Sequence, residues 1–502
     1  MALSPYKQLE LEWKRLHALR GAVSLLRWDA AVMMPRGSAA GRGEQIAALE
    51  TECHAVLTSP KVSRLLERAV AGQGSLEEWE IANLREMRRH CDHAIAMPVS
   101  LLNKLIRTSA TAESAWSDAR QQNKFELFAP HLEEVVRLVR EKAALLGQAR
   151  SMDPYDALVD EFSTGVSSEL IENLFKTYSR RLPELVREVI AQQEAIPVLP
   201  LTGSYKARQQ RALINEVLRA IGFPFDRGRI DEASHAFTEG ISGDIRITYC
   251  LSRQDPFIAL LGALHETGHA LYDLGLPKPW LDQPVGQARG IALEESQSLF
   301  LEMILGRSRA FVRYLRPLLE KHFGGAGPEW SEDNLYRLLT RVRRSAIRVD
   351  ADELTYPLHV MLRFDLERRM LQGRLAVRDL REAWNEEMRQ RLDLVPVNDA
   401  EGVLQDAHWA SGSFGYFPLY MVGVAVAAQL AEQMRRDLPE FDDSVSRGDF
   451  VAVCGWLRDA IHAQGARLSL TELMDSATRK PLTATAALRY LERKYLDNSI
   501  SI

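Results

Sequence analysis

Residues 255–277 read DPFIALLGALHETGHALYDLGLP, and the rest of the chain has to be built around them. Asp255 can cap a helix, Pro256 suits its first position, Gly275 suits its C-terminal cap, and Pro277 forbids continuation. These signals predict one helix between them. Inside it lies His265-Glu266-Thr267-Gly268-His269, an H-E-x-x-H. Positions four apart share one helix face, so both imidazoles can aim at a single ion. Glu266 follows the first histidine and can reach a water activated by that ion, but not the ion itself. With 12 histidines in the chain, composition alone gives about 0.02 chance matches to the motif. The segment reads as metallopeptidase chemistry.

Two histidines do not complete a catalytic zinc site, which usually has three protein ligands and one open position. The next helical pattern, Gly290–Leu305 (GIALEESQSLFLEMIL), offers Glu294 and Glu295 in its first turns. A carboxylate there gives the His-His-Glu set of a gluzincin. Spacing alone does not choose between the two glutamates. An H-E-x-x-H-x-x-G-x-x-H extension is missing from the chain, so the metzincin arrangement is excluded.

Outward from this centre the texture is helical. LEWKRLHALRGAVSLLRWDAAVMM and HLEEVVRLVREKAALLGQAR space apolar residues three and four apart, and the pattern returns at Glu169–Gln193, Ala207–Ile221, Ser331–Arg341, Pro357–Gln372 and Val377–Leu392. Residues 235–250, HAFTEGISGDIRITYC, break it. Their alternation around Gly240 and Gly243 predicts a short hairpin or small sheet next to the motif helix. Its stretch Asp244–Tyr249 is expected to lend a strand edge to an extended peptide.

Composition sets outer limits. The 502 residues are 46% hydrophobic and 26% charged, enough apolar material for a large core, and chain length alone suggests about three domains. With 63 basic against 68 acidic residues, nothing draws the chain generally towards nucleic acid. Cys53, Cys91, Cys250 and Cys454 are widely spaced and form no C-x-x-C, which fits buried thiols in a reducing compartment. The charged start, MALSPYKQLELEWKRLHALRG, lacks the apolar run of a signal peptide, so the cytoplasm is expected. Trp409–Ala431 is free of charge, but WASGSFGYFPLY within it is rich in Ser, Gly and Tyr. It predicts a buried loop entering a core helix, and no membrane span. No G-x-S-x-G, G-x-x-x-x-G-K-[ST] or G-x-G-x-x-G occurs.

The chain resembles the carboxypeptidase Taq family of metal-dependent carboxypeptidases. Four motifs stand in the family's order: H-E-x-x-H at 265–269, Glu294-Glu295-Ser296-Gln297 for H-E-S-Q/G, Ile347-Arg348-Val349-Asp350-Ala351-Asp352 for I-R-x-x-A-D, and GVLQDAHW from Gly402 to Trp409 for G-x-x-Q-D-x-H-W. LLRWDAAVMMP and GEQIAAL extend the likeness to the N-terminal part. There are departures: His235-Ala236-Phe237 lacks the family's central proline, Tyr249 stands for a threonine, and Glu294 stands for the histidine of H-E-S-Q/G.

The resemblance implies a mainly α, neurolysin-like helical body over 1–502 with a deep groove and a small sheet beside the motif helix. About 1–200 would form one groove wall and about 201–502 the catalytic half, which replaces the three-domain expectation. It makes Glu295 the third ligand with His265 and His269, for one Zn²⁺, with Co²⁺ also accepted by such donors. It implies Glu266 as general base and acid. Tyr416 and Tyr420 are candidate oxyanion donors. Arg348 would bind the substrate's C-terminal carboxylate, with Asp350 or Asp352 as its ion-pair partner in the plainer reading and Arg246 as an alternative carboxylate partner. Gln405 and His408 complete the substrate-binding set. Peptides with a free C-terminus are the implied substrates, and a homodimer without nucleic-acid or membrane partners is the implied assembly. An oligopeptide endopeptidase or dipeptidase on the same site, or a non-catalytic protein retaining the metal, are the alternatives.

Overall fold

Small polar residues placed just before apolar-periodic runs start many of the helices. Ser4, Ser59, Asp153, Ser167, Asp255, Ser308 and Ser331 each accept a backbone amide from the first turn they precede. The computed structural model describes residues 3–496, so the first two and last six positions of the expected 1–502 body lie outside the described residues. It is a mainly helical structure with one three-stranded sheet.

Apolar side chains collect into two main groups. Tyr6, Leu9, Trp13 and Leu16 of the N-terminal helix Pro5–Val32 pack with Cys53, Leu65, Met87 and Cys91 from the next three long helices. Most buried apolar residues between Ala112 and Tyr495 join one much larger core, which includes the sheet and the motif helix, while Leu138, Leu146 and Ala157 pack with Met97 and Leu101 in a small third group. Tyr155, Phe175 and Tyr178, from the first 200 residues, belong to this larger core.

The sheet comprises β1 (Gly228–Glu232), β2 (Thr238–Ile241) and β3 (Asp244–Tyr249), in the order β1-β3-β2. β2 and β3 form the expected hairpin, with Gly240 and Gly243 in left-handed backbone that favours glycine. β1 is an addition that runs parallel to β3. Its sequence, GRIDE, has a single apolar residue, Ile230, which is why alternation did not reveal it. β3 is therefore central and cannot offer a free edge to a peptide, contrary to the expectation for Asp244–Tyr249. The edge nearer the motif helix belongs to β2. Its Gly240 amide is already donated to Ser24 Oγ (2.6 Å) on the N-terminal helix.

The motif helix spans Pro256–Gly275 and packs against β3 and the helix Ile291–Leu299. The second approach is very close. A Cβ on Gly268 would lie 2.5 Å from the Gln297 carbonyl oxygen and from Ser298 Cα. Across the same helix, a Cβ on Gly423 of Phe417–Asp437 would meet Glu295 Cβ at 3.1 Å. Two glycines thus let three helices close around the acidic segment. The uncharged run resolves into the turn-rich 409–416 stretch and the buried helix Phe417–Asp437. Among the described residues, no helix is long and apolar enough to cross a membrane.

Candidate metal centre

Ligand-bearing atoms of His265, His269 and Glu295 lie within 4.8 Å of one another. The two imidazoles project from consecutive turns of the motif helix, with ring centroids 5.2 Å apart. Glu295 enters from the helix Ile291–Leu299, and its Oε2 lies 3.6 Å from His265 Nε2. That oxygen is buried without a hydrogen-bond partner among the described residues. A buried, unsatisfied carboxylate oxygen is costly unless something cationic meets it. Two imidazoles and one carboxylate, converging on that oxygen, fit a divalent metal ion with an open coordination position.

The electrostatics point the same way. Burial disfavours a charged imidazole at His265, but the Glu302 hydrogen bond and the charges of Glu295, Glu302 and Glu266 outweigh it and raise its pKa to about 10. His269 lacks such a bond; burial, with the charge of His265, lowers it to about 3. Burial lifts Glu295 to about 7 despite the attraction of His265. A proton on His265 answers the surplus negative charge here; a divalent cation would answer it more fully.

Sequence reasoning missed Glu302. Its Oε2 lies 3.0 Å from His265 Nδ1, and its Oε1 accepts Arg307 Nη2 at 3.0 Å. These bonds hold Glu302 at about 2, against the upward push of burial. Glu302 sits on a π-helical turn, Phe300–Leu305, that continues the Glu295 helix. Seven residues separate the two glutamates, close to two helical turns, which is the signal that could have found it. A carboxylate on the far nitrogen fixes the tautomer and orientation of a ligating histidine. Glu302→Gln is expected to weaken metal retention by about 10–100-fold, read by competition against a chelator.

Glu266 is buried, and its Oε2 accepts Thr238 Oγ1 at 2.7 Å. Burial raises its pKa, opposed by His265 and the Thr238 bond. Thr238 lies on β2, so the edge strand orients the carboxylate beside the two imidazoles. Glu294 occupies the first turn of the same helix as Glu295. Burial pushes its carboxyl up to about 7, and it helps raise Asp273 to about 8. Its charge at neutral pH is accordingly weaker than that of an ordinary glutamate.

A second buried cluster involves Arg348. Its Nε and Nη2 donate to Asp406 Oδ1 at 3.1 and 2.9 Å, while Arg363 Nε and Nη2 hold Asp406 Oδ2 at 2.7 and 2.5 Å. The ion-pair partner is thus Asp406, correcting the expectation of Asp350 or Asp352. Asp352 spends its carboxylate on the amides of Arg343, Leu354 and Thr355. The two arginines hold Asp406 well below the usual carboxylate range, overcoming burial. Two guanidiniums share one carboxylate, which leaves one positive charge over.

Tyr356 links this cluster to the histidine centre. Its hydroxyl accepts Arg348 Nη1 at 3.2 Å, its ring meets Tyr420 edge-on, and Tyr420 meets Tyr416 in turn. Burial lifts the pKa of all three phenols, with the negative charge of Glu295 contributing to each, so they remain neutral donors. Tyr356 was not singled out in the sequence, although it follows the I-R-x-x-A-D motif closely.

Gln405 is placed differently from a substrate ligand. Its Nε2 donates to the carbonyls of Ala346, Glu401 and Gly402, and its Oε1 accepts the Arg348 amide at 2.8 Å. Its polar atoms brace Arg348 from within. His408 packs against Phe417 with ring centroids 4.4 Å apart and planes tilted by 35°, and burial lowers it to about 4. Arg246 is not brought to the ligands. It pairs with Asp244 through Nε and Nη2 and lies 4.2 Å over Trp28. On β3 it points to the sheet face towards the N-terminal helix, opposite Ile245 and Ile247.

This fold has known counterparts. A sequence model of the family described as Carboxypeptidase Taq (M32) metallopeptidase matches residues 8–495. Thermostable carboxypeptidase 1 of Thermus thermophilus is 34% identical over 497 residues, 97% of each chain. Metallocarboxypeptidase 1 of Trypanosoma cruzi superposes with a TM-score of 0.96 at 38% identity, covering 98% of this chain and 99% of that one. A carboxypeptidase of Pyrococcus furiosus gives 0.94 at 32% identity, over 99% and 100% of the two chains.

Proposed function

The chain belongs to the carboxypeptidase Taq (M32) metallopeptidase family and is a metal-dependent carboxypeptidase acting on peptides; from this premise we propose which of its residues do the work. His265, His269 and Glu295 hold one zinc ion, a role Co²⁺ could also fill with these donors. Bound there, zinc supplies Lewis acidity that polarises a scissile carbonyl and activates water. The orphaned Glu295 Oε2 facing His265 Nε2 is the observation that carries this reading.

Glu266 takes the proton of the attacking water and returns it to the leaving amine. Thr238 engages Oε2 and keeps the carboxylate turned towards the histidines, leaving Oε1 for the water. Tyr420 or Tyr416 donates to the oxygen that gains charge as the carbonyl becomes tetrahedral. The raised phenol pKa values keep that proton in place.

Arg348 receives the terminal carboxylate of the peptide. The uncompensated charge of the Arg348–Asp406–Arg363 cluster supports it, because a buried cation needs an anion in reach. Tyr356 lies between the carboxylate-binding and bond-breaking ends. Gln405 acts by holding Arg348, and His408 by packing the groove wall at Phe417. The chain is read as one catalytic body whose N-terminal helices wall the groove, working in the cytoplasm as a homodimer. Its four free cysteines suit a reducing compartment, and the dimer rests on the family resemblance.

A peptide and its C-terminally amidated twin test this reading. The free acid is expected to be trimmed one residue at a time, and the amide at least about 100-fold more slowly, since a buried guanidinium without its anion costs several kcal/mol. Equal rates would replace it with the endopeptidase alternative.

A further inference from the structure

A cavity of about 250 Å³ lies between the C-terminal end of the helix Ser168–Glu194, the short helix Glu332–Leu339 and the last helix, Ala484–Tyr495. It shares no lining residue with the metal centre. Three arginines line it, Arg309, Arg337 and Arg341, together with Lys494, Tyr336 and Tyr495, and among the described residues no carboxylate lines it.

The four cations differ in how far they are already satisfied. Lys494 is buried and spent: its Nζ donates to Glu353 Oε2 at 2.7 Å and to the Met303 carbonyl at 3.0 Å. Arg309 meets the largely exposed Asp333 at 2.9 Å and lies 4.2 Å over the Tyr336 ring. An ion pair to an exposed carboxylate is weak and easily exchanged. Arg341 donates only to the Gln193 carbonyl, and Arg337 makes no ion pair among the described residues. Two guanidiniums with open forks and a third loosely held thus converge on one concave space.

We propose that this cavity is a binding site for a small phosphate-type oxyanion, free or carried on a compact organic group. Guanidinium forks match phosphate oxygens two at a time, and several positive charges favour a divalent anion over a single carboxylate. A free amino acid fits less well, because its ammonium would find no carboxylate among the described lining residues. The Tyr336 and Tyr495 rings, with Ile196 and Val198, leave an apolar side on which an aryl or alkyl group could rest.

Calorimetric titration of the zinc-loaded protein with inorganic phosphate, phenyl phosphate and phenylacetate tests this. Phosphate is expected to bind saturably at about one site per chain, phenyl phosphate at least as tightly, and phenylacetate at least about tenfold more weakly. In Arg337→Gln/Arg341→Gln the phosphate affinity should fall at least about tenfold, with cleavage of a reference peptide unchanged. If the double variant does not fold, Arg337→Gln alone, at an exposed position, should still lower the affinity at least about threefold. Absence of saturable binding overturns the proposal. So does binding that ignores the arginine substitutions, which would be phosphate at the metal centre, or phenylacetate binding as tightly as phosphate.

Discussion

Glu266→Gln is expected to lower kcat by about 10²–10⁴-fold while the zinc stays bound. Glutamine keeps the size of the side chain and can still accept the Thr238 hydroxyl, so the motif helix and its imidazoles need not move. What it loses is the capacity to take a proton from water and hand it to the departing amine. Because the loss is in the chemical step, KM should change little and kcat/KM should fall with kcat. Steady-state kinetics with metal analysis of the same sample checks this. A variant that loses its metal as well would mean that Glu266 shapes the site, and one with near-normal kcat would remove it from proton transfer.

The second large effect is expected at Arg348. Arg348→Met should reduce kcat/KM on peptides with a free C-terminus by about 10²–10³-fold, the cost of stranding a buried anion without its partner. The amidated twin, already a poor substrate, should lose almost nothing. Asp406 remains held by Arg363 at 2.7 and 2.5 Å, so the cluster does not collapse into an unpaired carboxylate. Arg348→Lys is expected to recover only part of the loss, because an ammonium cannot bridge Asp406 and a second carboxylate with paired forks. A loss shared equally by acid and amide would show that Arg348 only supports the fold.

The sequence revealed this site unevenly, for physical reasons. The motif helix was largely legible, because its N-cap, its proline stop and its i, i+4 histidines are local signals, although Leu276 and not Gly275 is its C-terminal cap. The choice of Glu295 over Glu294 was not local. It depends on which of two neighbours turns towards His265, and close helix packing at Gly268 and Gly423 determines that. Glu302 escaped notice because it lies on a π-turn at the far end of the segment, away from the first turns where a third ligand was sought. Asp406 was hidden by distance, since it meets Arg348 across 58 positions while Asp350 and Asp352 sit next to it in the chain. The backbone instead takes up Asp352, as short carboxylates near turns often are. β1 was lost because an edge strand with partly exposed side chains shows little alternation.

Zinc content bears most directly on the proposed centre. Wild-type protein and Glu295→Ala, purified alike and dialysed against the same mild chelator, would be compared by elemental analysis. About one zinc per chain is expected in the wild type, with most of it lost from the variant along with peptidase activity, because two imidazoles alone make a weak site. Equal zinc in both proteins, or full activity in wild-type protein stripped of metal, would contradict the assignment of His265, His269 and Glu295 as the metal-binding set.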